Sequence, residues 1–68
     1  MIGDARLTAR EIDVLRLLSL GYTYASAASR LGLSAHTVTS HVKKIYAKLG
    51  VHAVGAAVMR AMKLGIIG

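Results

Sequence analysis

Sixty-eight residues with no cysteine, and nine Lys/Arg against three Asp/Glu, exclude a second core, a disulfide framework and a thiolate metal site, and leave a net charge of +6. The acids Asp4, Glu11 and Asp13 all precede Val14, so every later full charge is positive. A field of one sign attracts a polyanion, either nucleic acid or an anionic membrane, and the plain alternative is a basic surface kept for solubility. Eleven alanines and only three tyrosines make for a thin core, which suits short helices packed through small residues. No apolar run approaches the roughly twenty residues of a membrane span and none has the make-up of a secretion signal, so a cytoplasmic protein is the default expectation.

Residues 1–6 read as an N-terminal tail and 7–68 as one domain. Proline is absent, so element boundaries are read from glycines and capping residues. Thr8-Ala9-Arg10-Glu11 has capping-box spacing, in which the Thr8 hydroxyl accepts a bond from one free N–H and Glu11 reaches back to another. Leu7 and Ile12 flank the box as a hydrophobic staple. Ile12, Leu15 and Leu18, with Val14 and Leu17 beside them, continue as an apolar stripe up to Gly21, which predicts a helix over about 9–20.

Thr23 is placed to cap a short second helix over 24–31, built largely of alanine and serine and stopped by Gly32. Ser34 caps a third helix over 35–49, whose Lys43, Lys44 and Lys48 lie toward the negative end of the helix dipole. A last helix is predicted over 54–64. Period-two alternation is not sustained anywhere and no Asn-Gly or Asp-Gly hairpin signal occurs. The predicted fold class is therefore all-α, a four-helix bundle containing a helix-turn-helix.

Ala28, Gly32 and Val38 carry the mechanics of that motif. The small Ala28 lets two helices cross closely, Gly32 can take the positive φ of a tight turn, and β-branched Val38 locks the third helix onto the second. At about 100° per residue, Val38, Val42, Ile45 and Leu49 share a sector of roughly 60° and leave His36, Ser40, Lys43 and Ala47 opposite. Thr39 lies on one shoulder of the outward face, and Thr37, Lys44 and Lys48 lie toward the other flank. Short polar side chains at the centre of a face let a helix sink into a major groove, while lysines at its margin reach guanine edges or phosphates. The bland alternative is an ordinary solvated helix face.

Leu7-Thr8-Ala9-Arg10-Glu11, Val14-Leu15, Leu18, Gly21, Ala28, Leu31-Gly32-Leu33-Ser34, Thr37-Val38, His41-Val42, Ile45 and Lys48-Leu49-Gly50-Val51 resemble, in order and spacing, the LuxR/GerE-type helix-turn-helix signature of bacterial transcription regulators. The resemblance covers roughly residues 7 to 62. It implies a four-helix domain that binds double-stranded DNA, with its third helix in the major groove and its fourth in a dimer contact. Base contacts are implied for Thr39, Ser40 and Lys43, and His36 joins them by its place at the centre of the same face. Phosphate contacts are implied around Thr23, Thr37, Lys44 and Lys48. Ala9 stands where the family favours proline, and Ala27 replaces a larger aliphatic. At Ala53-Val54-Gly55-Ala56 the family's Ser-Arg-x-Glu capping box is missing, which predicts a late or frayed start to the last helix.

In that helix Val54, Ala57, Val58, Ala61 and Leu64 form an apolar stripe, with Met59 and Ala56 outside it and Arg60 and Lys63 as the only full charges. Such an apolar excess needs cover. A homodimer through Val54, Val58, Met59 and Met62 is the simplest, because a two-fold pair matches a palindromic site. The rival reading is a small basic helical module that binds a protein or a membrane surface; the predicted partners are nevertheless double-stranded DNA and a second copy, with RNA polymerase a further candidate and no membrane. His36 and His41 are about 140° apart on one helix and His52 lies in a turn, so no metal site is expected. No hydroxyl, histidine and carboxylate set and no phosphate loop are present, so no enzyme activity and no cofactor are expected.

Overall fold

The computed structural model describes residues 6–68, so all of the expected tail except Arg6 lies outside the described residues. Its four helices are α1 (Ala9–Ser19), α2 (Tyr24–Leu31), α3 (Ala35–Leu49) and α4 (Val54–Lys63). Both α1 and α4 end one residue short of the expected boundary, because Leu20 and Leu64 are the C-caps.

The starts follow the sequence. Thr8 Oγ1 accepts from the Glu11 N–H at 3.1 Å and Glu11 Oε1 accepts from the Thr8 N–H at 2.8 Å, which completes the capping box. Thr23 and Ser34 accept from the backbone N–H of Ser26 and Thr37, each at 3.0 Å. α4 begins at Val54, as its predicted span has it, and although its N-cap, Ala53, makes no side-chain bond, the missing capping box does not delay the start. Its first turn closes through the Ala57 N–H on the Ala53 carbonyl at 2.9 Å, and burial of Ala57 and Ala61 supplies what the missing cap does not.

The ends share one device. After Gly21, Gly32, Gly50 and Gly65, each with positive φ, the next N–H returns five residues to a helix carbonyl: Tyr22 to Leu17, Leu33 to Ala28, Val51 to Tyr46 and Ile66 to Ala61. Each of these four residues is half-buried against the core, so every stop also plants an apolar anchor. The last turn, absent from the sequence reading, sends Ile67 back into the core.

α1 and α3 each contact all the other helices, while α2 and α4 flank that pair without touching each other. Val14, Leu15 and Leu18 of α1 meet Val38, Val42, Ile45 and Leu49 of α3, and the flanking helices contribute only the alanines Ala27, Ala28, Ala57 and Ala61 as fully buried residues. Small side chains bring those helices close at little cost in side-chain entropy. Two expectations for α4 change: Leu64 is 49% exposed, and Val54 and Val58 are half-buried against their own core.

α1 and α3 are also joined by charge. Glu11 is 2% exposed, and the Oε1 atom that caps α1 accepts from Lys48 Nζ, in the last turn of α3, at 2.8 Å. Burial pushes the Glu11 carboxyl up, but the Lys48 ammonium and the two Thr8 bonds outweigh it and leave it below the ordinary 4.5. A depressed carboxyl contributes stability that is present above its unfolded value and lost as pH falls through its folded one.

Lys48→Met should strand the carboxylate, lower stability by roughly 1 to 3 kcal/mol near pH 7, and move the acid-unfolding midpoint to higher pH, as read by circular dichroism. An unmoved midpoint would show that the pair contributes nothing. Thr8→Ala should cost about 0.5 to 2 kcal/mol through the cap alone, measured by thermal melting.

Candidate nucleic-acid interface

The turn between α2 and α3 is built as its residues require. Ala28 and Val38 are buried, and Gly32 takes φ +69°, a left-handed conformation that a side chain resists. α3 turns its four apolar residues fully inward, and His36, Lys43 and Ala47 are exposed on the opposite face with Ser40 half-exposed between them. His36, Thr39, Ser40 and Lys43 thus share one outward surface of α3. Lys44 is exposed on the flank.

Local hydrogen bonds set what each hydroxyl can offer. Thr39 Oγ1 donates to the Ala35 carbonyl at 3.1 Å, which commits its proton and leaves the oxygen as an acceptor. Thr37 Oγ1 lies 2.8 Å from Ser34 Oγ, and Thr23 Oγ1 donates to Ser26 Oγ at 3.1 Å. Both are exposed side-chain pairs within a cap, and either hydroxyl can rotate its proton toward an incoming oxygen.

Electrostatically the surface is one-signed. Among the described residues Asp13 stands 3.9 Å from Arg10 on α1, and Glu11 is buried against Lys48. Among the described residues no carboxylate therefore pairs with Lys43 or Lys44. Lys48, expected beside phosphate, holds its ammonium 2.8 Å from Glu11 Oε1 with its side chain 31% exposed, so its charge is already paired within the domain. The sequence reading missed this pair because the partners are 37 residues apart, a separation that no helical period reveals.

It also missed the nearness of two phenols. Burial, with the phenol of Tyr24 at the start of α2 in its neighbourhood, pushes the Tyr46 phenol of α3 up to about 12.

The candidate dimer residues separate into two kinds. Met59 is 63% and Met62 55% exposed, whereas Val54 and Val58 rest on the core. His41 is half-buried, and no three His, Cys, Asp or Glu side chains among the described residues converge as metal ligands. No helix among the described residues is long and apolar enough to cross a membrane.

This geometry agrees with what the chain is similar to. The bacterial regulatory proteins of the luxR family match residues 5–61. The HTH-type transcriptional activator RamA of Corynebacterium glutamicum is 40% identical over 62 residues, which is 91% of this chain and 22% of that protein. The solved structure of the response regulator ChrA, from a heme-sensing two-component system, superposes with a TM-score of 0.88 at 39% identity, over 91% of this chain and 31% of that one. The chain thus spans less than a third of either relative. A helix-turn-helix with a buried inner face and a basic outer one, matched by this family over most of its length, places the chain in the luxR family of bacterial regulatory proteins, as a DNA-binding domain of transcription regulators.

Proposed function

We propose that the domain reads a palindromic or near-palindromic duplex as a homodimer, with α3 in the major groove, and so regulates transcription. The observation that carries this reading is the division of α3 into a wholly buried face and an acid-free outward face of short polar side chains and lysine. Short side chains let the helix backbone approach the base edges, and a lysine ammonium donates to guanine O6 and N7.

Lys43 is the principal base reader, with Ser40 as a two-way hydrogen-bonding group and His36 near the start of the helix. Thr39, its proton committed to Ala35, presents an acceptor to a base amine and a methyl to thymine. Thr23, Thr37 and Lys44 hold phosphates. Lys48 is left out of that set and braces α3 against α1 through Glu11.

Dimerisation through α4 accounts for Met59 and Met62, with Val54 and Val58 as support beneath them. One short helix per subunit buries at most the lower end of the usual range of about 1,200 to 2,000 Å², so free association should be micromolar or weaker. On a palindrome each subunit raises the local concentration of the other, and binding becomes cooperative. RNA polymerase is the partner that a DNA-bound regulator of this kind would meet.

Selection from a random duplex pool tests the reading directly, with anionic vesicles as the control. An enriched two-fold sequence and a steep salt dependence on duplex are expected. Vesicle binding without any enriched sequence would favour the membrane-surface alternative.

On the selected duplex, Lys43→Ala should cost about 1 to 3 kcal/mol and change the preferred bases, while Lys44→Ala should weaken all sequences alike and lower the salt slope by about one unit. Lys48→Met should leave that slope unchanged. Titrations at several salt concentrations read all three.

Met59→Lys and Met62→Lys, both at exposed positions, should leave the fold intact and abolish cooperativity on the whole site, with half-site affinity kept. Sedimentation of the free domain and paired whole-site and half-site titrations check this. Undiminished cooperativity in both variants would remove α4 from the interface.

A further inference from the structure

Leu20 is 75% exposed, more than any other large apolar residue described, and it belongs neither to α4 nor to the outward face of α3. It stands as a ridge between two grooves. One runs toward Val58 and Met62 of α4. The other lies between α1 and α2 and is lined by Asp13, Arg16, Leu17, Leu20, Arg30 and Leu31.

The second groove has the form of a helix-binding site. Its four α1 residues recur at i, i+3, i+4 and i+7, so they line one side of the helix. Leu17 and Leu31 are half-buried and form an apolar floor. Two arginines flank it. Asp13 already faces Arg10, and among the described residues no carboxylate lies within salt-bridge distance of Arg16 or Arg30. The Arg30 guanidinium is held 4.7 Å over the Tyr22 ring, which restricts it before anything binds.

An occupant must supply apolar side chains beside Leu20 and carboxylates to the two guanidinium forks. Phosphates would satisfy the arginines and leave Leu20 without use. Position argues the same way. The groove side of α1 lies about 160° around the helix from the side bearing Glu11, Val14, Leu15 and Leu18, which packs toward α3. It therefore faces away from the outward surface of α3.

We propose that the α1–α2 groove docks an acidic amphipathic helix of a partner protein, with Leu20 as the apolar contact and Arg16 and Arg30 as the carboxylate contacts. Only its compatibility with simultaneous DNA binding rests on the function proposed above. The groove itself is testable on the free domain.

The probe is a synthetic helical peptide with leucines at i, i+3, i+4 and i+7 flanked by glutamates, titrated into the ¹⁵N-labelled 68-residue protein, beside the same peptide with lysine for glutamate. Saturable amide shifts centred on Leu17, Leu20, Arg30 and Leu31 are expected from the glutamate peptide alone. Leu20→Ser and the double variant Arg16→Ala/Arg30→Ala should each weaken it about tenfold, and bound duplex should leave its affinity unchanged. Shifts centred on Met59 and Met62, equal binding of the lysine peptide, or no saturable binding would each overturn the proposal. So would a lower salt slope of duplex binding in the double arginine variant, which would assign those arginines to phosphate. Failure of the duplex to bind at all would count against the DNA reading alone, since the peptide titration on the free domain decides the groove separately.

Discussion

Glu11 is almost fully buried, and one of its oxygens accepts both the Thr8 N–H that opens α1 and the Lys48 ammonium that closes α3. A buried carboxylate is tolerable only when it is bonded, and here its two partners come from opposite ends of the helical pair on which the fold is built. The start of one helix and the end of the other are thus referred to a single atom. Everything presented by α3 inherits its orientation from that junction and from the apolar seam beside it. The same junction pairs the buried Glu11 carboxylate with Lys48, and α3 itself carries no acid.

The rest of the architecture follows from a chain poor in large side chains. α2 and α4 add no fully buried residue larger than alanine, so they lie close to the α1–α3 pair and cover little of it. The missing area is supplied by the turns. Tyr22, Leu33, Val51 and Ile66 each follow a left-handed glycine and press onto the core, so the loops act as packing elements as well as connections. A small domain gains rigidity at its helix ends from this arrangement. That is where the helix-turn-helix must hold its angle.

In the function proposed above the work is divided by face: α3 would offer DNA its outward side of short polar groups and lysine, α4 would offer the exposed Met59 and Met62 to a second subunit, and α1 with α2 leaves Leu20 between arginines on the side away from α3. The outward side of α3 and the α1–α2 groove point away from each other, whereas Leu20 and Arg16 also line the groove that runs to Val58 and Met62 of α4.

Much of this was legible in the sequence because its signals are local. The Thr8 and Glu11 box, the caps at Thr23 and Ser34, the stops at Gly21, Gly32 and Gly50, and the inward row Val38, Val42, Ile45 and Leu49 each depend on residues within a few helical turns, and the structure has all of them. α4 starts at Val54 as expected, but that it does so without a capping side chain was not legible, because a cap is local whereas the burial of Ala57 and Ala61 is not. For the same reason Ile67 in the core and the nearness of Tyr24 to Tyr46 were out of reach. Lys48 shows the division most sharply. Its place on the flank of α3 follows from helical period alone, but whether its ammonium meets a phosphate or Glu11 depends on which residue another helix brings alongside. The sequence by itself determined the helices, their caps and the outward surface of α3, since those rest on hydrogen bonds and periodicity within a single segment. Only the tertiary structure decided which charges are left for a partner, because neutralising a charge takes a residue brought near by the fold.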